Sequence, residues 1–172
     1  PRSTHPRSSA RQMCIRDRPV ANASLLDEGT AAAEAMILAY SQSTRKMVLV
    51  DSKIFPQTLE VLKTRAKPLD IEIKLIDLDV VPDLGDISLS FGIIVQLPNN
   101  HGKLRHPDGL LRCAEVYKCM KIAIVDPLAQ VLMQPVGELG FDIAVGSMQR
   151  FGVPMGFGGP HAAFFATTEK YK

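Results

Sequence analysis

No apolar run in the chain approaches the eighteen or so residues that a membrane-spanning helix needs. The first residues also lack the apolar core of a secretory signal. These two absences point to a soluble, non-secreted chain with no membrane partner. Cysteine is scarce, with Cys14, Cys113 and Cys119 the whole complement. An odd count and a Cys-x5-Cys spacing match neither a disulfide framework nor a zinc ligand set. Reduced thiols in a reducing compartment are the plain reading, with Cys113 and Cys119 on one helix. No Ser/His/Asp or Cys/His set assembles with any specificity. No glycine-rich stretch ends in the Lys-Ser/Thr pair of a phosphate-binding loop, and none has the G-x-G-x-x-G order opening a helix.

The chain is not short of apolar residues, at 46% hydrophobic against 22% charged over 172 residues, which suits a soluble α/β protein. Its formal charge of +2 is unevenly spread. The first eighteen residues, PRSTHPRSSARQMCIRDR, carry five arginines and one aspartate, and the remainder carries 15 basic and 17 acidic residues. A basic arm can bind nucleic acid. This one has no apolar period and no aromatic residue for stacking, and SSARQMCIRDR reads as adapter-derived read-through. Residues 1–19 are therefore set aside as a non-native or disordered tail, with no nucleic-acid partner. The absence of an initial methionine, and an end within a nascent helix at Thr168–Lys172, suggest a fragment.

From residue 20 onward, helical and strand patterns alternate. Asn22-Ala-Ser24 offers capping oxygens for a helix carrying Leu25, Leu26, Ala33, Met36, Ile37 and Tyr40 at helical spacing, with Gly29-Thr30 as a second possible start. Met47–Val50 reads as a buried strand ending in Asp51. Pro56 opens a helix over Gln57–Lys67, with Leu59, Leu62 and Ala66 on one face, and Pro68 stops it. Ile71–Ile76 alternates as a half-exposed strand, and Phe91–Leu97 is a continuous apolar one ahead of the turn PNNHG. A helix over Pro107–Met120 leads to the strand Ile122–Val125, ending in Asp126. Phe141–Val145 and Ala162–Ala166 are further strands. Apolar strands separated by helices imply a mainly parallel sheet covered on both faces. Ligands in such sheets sit at the carboxyl ends of strands, where Asp51, Asp126 and Ser147 fall.

Three features could carry chemistry. Asp126 can serve a cofactor, or cap a helix over Leu128–Met133 with Pro127 at its first position. Asp27-Glu28-Gly29-Thr30 forms a polar knuckle, able to complement the helix dipole or to present a carboxylate to a ligand amine. Gly146–His161 (GSMQRFGVPMGFGGPH) holds five of the chain's 12 glycines. Such a loop can wrap a ligand or a neighbouring chain, or simply make a tight crossing between strands. Within it, Arg150 can bind a carboxylate or phosphate, or pair with an acidic neighbour, and His161, like His101, can be structural.

Two segments, NASLLDEGTAAAEAM (Asn22–Met36) and GSMQRFGVPMGFGGPHAAFFAT (Gly146–Thr167), resemble the glycine decarboxylase P-protein family, glycine dehydrogenase (decarboxylating). FPQTLEVLKTRAKPLDIEI between them is similar to the family's HPQT…TRAK segment. The likeness covers residues 20–172, in the family's order. It implies an aspartate-aminotransferase-like large domain of pyridoxal-phosphate (PLP) fold type I, here incomplete. It also implies glycine as substrate, PLP as electron sink and the lipoylated H-protein as acceptor of the aminomethyl group. The family is built of two homologous halves, and this segment resembles the N-terminal one. In the C-terminal half, a His-Lys pair ahead of the glycine loop supplies the Schiff-base lysine. Counted back from Gly158-Gly159-Pro160, that position here is Gln149.

The resemblance thus implies that this fragment is inactive alone, and that PLP is bound covalently by the other half. Ser24, Glu28, Thr30, Asp126, Ser147, Gln149, Arg150 and His161 become candidates for the wall of the partner's active site, with Asp126 a relic or cap. The alternative is a non-catalytic scaffold subunit for dimerisation and H-protein docking. The expected partners are the catalytic half or subunit and H-protein, in a dimer, with no metal. Location would be cytoplasmic in a bacterium and mitochondrial in a eukaryote. Met148, Leu97 and Phe55 depart from the family's usual serine, tyrosine and histidine, and VDPLAQVLMQPVGELG is looser than its common form.

Overall fold

The computed structural model of the chain describes residues 20–80, 83–105 and 107–171, apart from the side chains of residues 23 and 24. The arm at 1–19, including Cys14, lies outside them. Seven strands form one sheet: β1 (Val20–Leu25), β2 (Met47–Asp51), β3 (Glu72–Ile76), β4 (Ser90–Leu97), β5 (Met120–Val125), β6 (Ile143–Ser147) and β7 (Ala163–Thr167). Their order is β1-β7-β6-β5-β4-β2-β3. The pairs β2–β3, β2–β4, β4–β5 and β5–β6 are parallel, whereas β7 runs antiparallel to both β6 and β1. β4 and β5 are buried along their whole length, as central strands of a sheet covered on both faces must be. β3 lies at one edge and is largely exposed, with Ile76 buried at its end.

The helix α1 (Glu28–Ser41) organises one face. Ala31, Ala32, Ala33, Ala35, Met36 and Ala39 are all 0–1% exposed. Burial on every side is possible because α1 lies between the sheet and the outer helix α2 (Pro56–Ala66), packing on β4, β5, β6 and β7 beneath. Small side chains let the three layers approach. A Cβ at Gly29 would stand 3.2 Å from Val61 of α2, and one at Gly92 would meet the Met120 carbonyl oxygen at 3.1 Å. The other face holds a second cluster built on Leu49, Ile93, Val95, Leu97, Ala123, Val125 and Phe141. It is covered by α4 (Asp108–Val116), with the short helix α3 (Leu84–Leu89) alongside.

Several expectations are corrected. Val20–Leu25 is a strand, not a helix start, because the open edge of β7 offers backbone partners from Val20–Thr167 to Leu25–Ala163. Capping passes to Asp27, whose Oδ1 accepts from Thr30 N at 2.8 Å, worth about 1 kcal/mol. α4 ends at Val116, not Met120. Lys118 adopts a left-handed conformation (φ 55°), and Cys119 N donates to Ala114 O at 2.8 Å. Cys119 therefore leaves the helix that holds Cys113 and lies buried, its Sγ 3.1 Å from Ile87 O. Residues 128–133 form only a 3-10 turn over Ala129–Val131, and the closing residues one over Glu169–Tyr171. β6 starts two residues later than read, at Ile143, and just before it Asp142 clasps Lys121 with its backbone N at 2.7 Å and its carboxylate at 2.8 Å. The helix α3 carried no signal strong enough to be read.

The glycines at 146 and 159 have distinct reasons. A Cβ at Gly146 would lie 2.1 Å from the Val125 carbonyl oxygen and 2.9 Å from the Phe164 ring. Gly159, at φ +75°, would bring one within 2.6 Å of Pro154 O. Gly146→Ala is expected to lower stability by about 3 kcal/mol. Gly156→Ala, whose Cβ meets nothing within 4 Å, should stay within about 0.5 kcal/mol of the parent. Urea-unfolding midpoints of the two variants would measure the contrast.

Candidate active-site wall

The carboxyl ends of β2, β4, β5 and β6 share one rim, but their side chains divide between its two faces. Strand alternation places Asp51 on the face of Leu49. There its Oδ1 accepts from Lys53 N at 2.9 Å, and burial raises its carboxyl above the usual range, partly offset by Lys53 and Arg105. Lys53 in turn bridges Asp77 and Asp79 at 2.9 and 2.7 Å, and Arg105 pairs with Asp79 as well. This network ties β2 and β3 to the turn after β4, where Asn99 Oδ1 accepts from the backbone of His101 and Lys103 at 3.0 Å each. Asp51 thus belongs to the rim without joining the residues below.

On the opposite face, α1 delivers Glu28 to the rim as its first residue. Gln96 of β4 shares that face with Ile94, and Asp126, one residue past β5, shares it with Ile124. The Gln96 amide and the Thr58 hydroxyl of α2 are the polar neighbours that favour the ionised Glu28 carboxyl. Burial pushes that carboxyl up to about 7, assisted by the negative charges of Asp126 and Asp27 and only partly offset by these two neighbours. Gln96 is 2% exposed, and its Oε1 has no hydrogen-bond partner among the described residues.

Asp126 makes two local contacts. Its Oδ1 accepts from Leu128 N at 2.9 Å, capping the turn that follows, and its Oδ2 lies 2.9 Å from Arg150 Nη1. Arg150 thus reaches back from the glycine loop to an acidic neighbour. Ser147, the last residue of β6, accepts at Oγ from Gln149 N at 3.2 Å, and the Gln149 side chain donates to Pro160 O at 3.2 Å. The second contact holds the loop's ends together. Thr30 serves the Asp27 cap through its backbone. His161 is exposed ahead of β7 and makes no side-chain hydrogen bond or ion pair with the described residues. Ser24 is on β1, its side chain outside the described residues.

The structure therefore brings Glu28, Asp126 and Arg150 together, joins Ser147 to Gln149 beside them, and leaves His161 apart. Sequence reading missed Gln96 and Thr58. A lone glutamine inside the apolar run Phe91–Leu97 was the available signal, since a buried amide needs a partner. No group of three or more His, Cys, Asp or Glu among the described residues could hold a metal. No described helix is long and apolar enough to cross a membrane.

Residues 15–172 match the family model described as glycine cleavage system P-protein. The chain belongs to that family. The match begins within the last residues of the basic arm. A glycine dehydrogenase (decarboxylating) of Prochlorococcus marinus strain SARG is 53% identical over 157 residues, and one of Synechococcus strain RCC307 is 57% identical over 157. Each alignment covers 90% of this chain and 16% of the relative, so the chain spans about one sixth of the relatives' length. A crystal structure of glycine decarboxylase (P-protein) in inhibitor-bound form superposes with a TM-score of 0.79 at 30% identity, over 95% of this chain and 40% of that one. A Campylobacter jejuni O-acetylhomoserine (thiol)-lyase carrying N'-pyridoxyl-lysine-5'-monophosphate has the same fold, with a TM-score of 0.73 at 16% identity, covering 95% of this chain and 40% of that one. The sheet is thus that of PLP-dependent fold type I.

The Glu28 carboxyl makes stability pH-dependent. Its folded value lies above the ordinary 4.5, so folding favours the neutral form. As pH rises from 4.5 towards about 7, the unfolded chain gives up the proton first and the fold loses stability across that window. Asp51 acts in the same direction. Glu28→Gln, which keeps a polar group of the same shape, is expected to be more stable than the parent at about pH 8 by roughly 2 kcal/mol, allowing for solvent screening. The two proteins should converge near about pH 4. Chemical denaturation across pH measures this directly.

Proposed function

We propose that the chain is part of a glycine cleavage P-protein, which decarboxylates glycine on PLP and passes the aminomethyl group to the lipoyl arm of H-protein. In this reading the segment does not hold the cofactor itself; it walls the active site of a catalytic half. The carrying observation is the loop after β6. Its Gln149 amide is engaged with Pro160 O at 3.2 Å, and no lysine occurs between Lys121 and Lys170. An amide cannot condense with an aldehyde.

The remaining residues fit PLP no better. Asp126, the strand-end carboxylate that could face a pyridine nitrogen, has Arg150 at 2.9 Å. The start of α1 offers a phosphate no free anion site, because Asp27 caps it and Glu28 follows. When bound to the other half, PLP would supply the electron sink for loss of CO2. The contribution of this chain would be to shape and dry one side of the space around it, with Glu28 and Arg150 at the rim. The relatives are cyanobacterial, which favours the cytoplasmic alternative.

One observation also favours the scaffold reading. Leu26, Leu128, Val131, Leu132, Met155 and Phe157 are all exposed on segments that follow β1, β5 and β6 at this same rim, Met155 at 83%. An apolar rim of that kind suits burial against a partner. The chain mixed with stoichiometric PLP should show no internal-aldimine absorbance, and a band that borohydride fixes on one specific lysine would overturn the cofactor assignment. In the assembled enzyme, Glu28→Ala and Arg150→Ala are each expected to slow glycine–bicarbonate exchange about tenfold. Unchanged exchange with intact assembly would leave the scaffold reading standing alone.

A further inference from the structure

The corner at the start of α1 is unusually rich in hydrogen-bond acceptors. Asp27 and Glu28 come from α1 and its cap, Asp126 from the end of β5, and the unpartnered Oε1 of the 2%-exposed Gln96 from β4. Opposing donors are few: the Thr58 hydroxyl of α2, the Gln96 amide hydrogens and the Arg150 guanidinium. Arg150 is already drawn to Asp126 at 2.9 Å and sits on an exposed loop, its side chain 58% exposed. With Glu28 ionised, its carboxylate has the like charges of Asp126 and Asp27 as neighbours, Arg150 is engaged with Asp126, and the buried Gln96 oxygen still lacks a donor.

From this geometry we infer that the Glu28–Gln96 corner is a receptor for a cationic nitrogen bearing N–H groups, an ammonium or a guanidinium. Such a group would donate to the Glu28 carboxylate and the Gln96 Oε1 together, satisfying the orphan acceptor and compensating the buried charge. An anion would meet like charge there and is excluded. The raised Glu28 carboxyl fits the same picture, being the state of an acid whose counter-charge arrives from outside. The donor can be a small amine or a lysine or arginine side chain of a catalytic half. The second source rests on the reading above that such a half covers this rim.

The test follows the Glu28 titration by carbon-13 NMR with side-chain-labelled glutamate, the resonance being assigned by its loss in Glu28→Gln. Methylammonium chloride is the probe. In the chain alone, saturating methylammonium is expected to lower the Glu28 midpoint by about one pH unit. Tetramethylammonium at equal concentration has no N–H and should leave it unmoved. Gln96→Leu should weaken methylammonium binding about tenfold. A midpoint already lowered in the chain co-purified with a catalytic half, without probe, would place the donor on a partner side chain. A midpoint lowered there only by probe would assign the corner to a small amine. No response to methylammonium in the chain and no change on assembly would overturn the receptor, as would an equal response to tetramethylammonium. Because the readout is a titration and not turnover, the receptor can fail while glycine exchange still depends on Glu28, and the reverse.

Discussion

The packing of α1 is the constraint on which the rest of the fold depends. A helix buried on the sheet side by β4, β5, β6 and β7, and on its outer side by α2, must present small side chains almost all round. Ala31, Ala32, Ala33, Ala35 and Ala39, with Met36, meet that requirement at full burial. Alanine also has the best helix propensity and loses no rotamer freedom on burial, so local preference and tertiary packing agree. Once α1 is held in that slot, its first turn cannot move away from the rim. Glu28 is then brought against Gln96 and Thr58 as a consequence of core packing, and the core bears the cost of desolvating its carboxyl.

That placement gives the rim an acidic character. Sheets of this class present their strand ends and a helix start to a ligand, and an uncapped helix start favours negative charge. Here the cap is an aspartate and the next residue a glutamate, so the site favours positive charge. Arg150 answers part of that charge by turning back to Asp126. Gln149 in the same loop is tied to Pro160. The loop's interactions are thus directed inwards, while its hydrophobic residues Met155 and Phe157 point into solvent. Both features are what the supporting role proposed above would require.

Much of the fold was legible in residue patterns. The runs MVLV, FGIIVQL and IAIV read as buried strands because both faces of a covered parallel sheet demand apolar residues. Pro56 and Pro68 bracketed α2 through the loss of a backbone donor. The glycine loop was legible as a strand crossing, and at Gly146 the cause is the neighbouring Val125 carbonyl. What escaped depended on partners distant in sequence. Val20–Leu25 pairs with residues some 140 positions away, which no local cap signal reveals. The end of α4 turns on Lys118 in a left-handed conformation, where a glycine would have announced it. Gln96 looked like a polar interruption until α1 and α2 placed Glu28 and Thr58 beside it.

By itself, the sequence determined family membership, the alternation of strands and helices, and the lack of a lysine in the loop after β6, because each rests on residue identity and short-range order. Tertiary structure alone decided which acids act together. Asp51 and Asp126 both end buried strands, yet strand alternation turns them to opposite faces. One enters a basic network with Lys53 and Arg105, and the other joins Glu28 and Arg150. Burial and neighbouring charge set the chemistry of a carboxylate, and both belong to the folded chain.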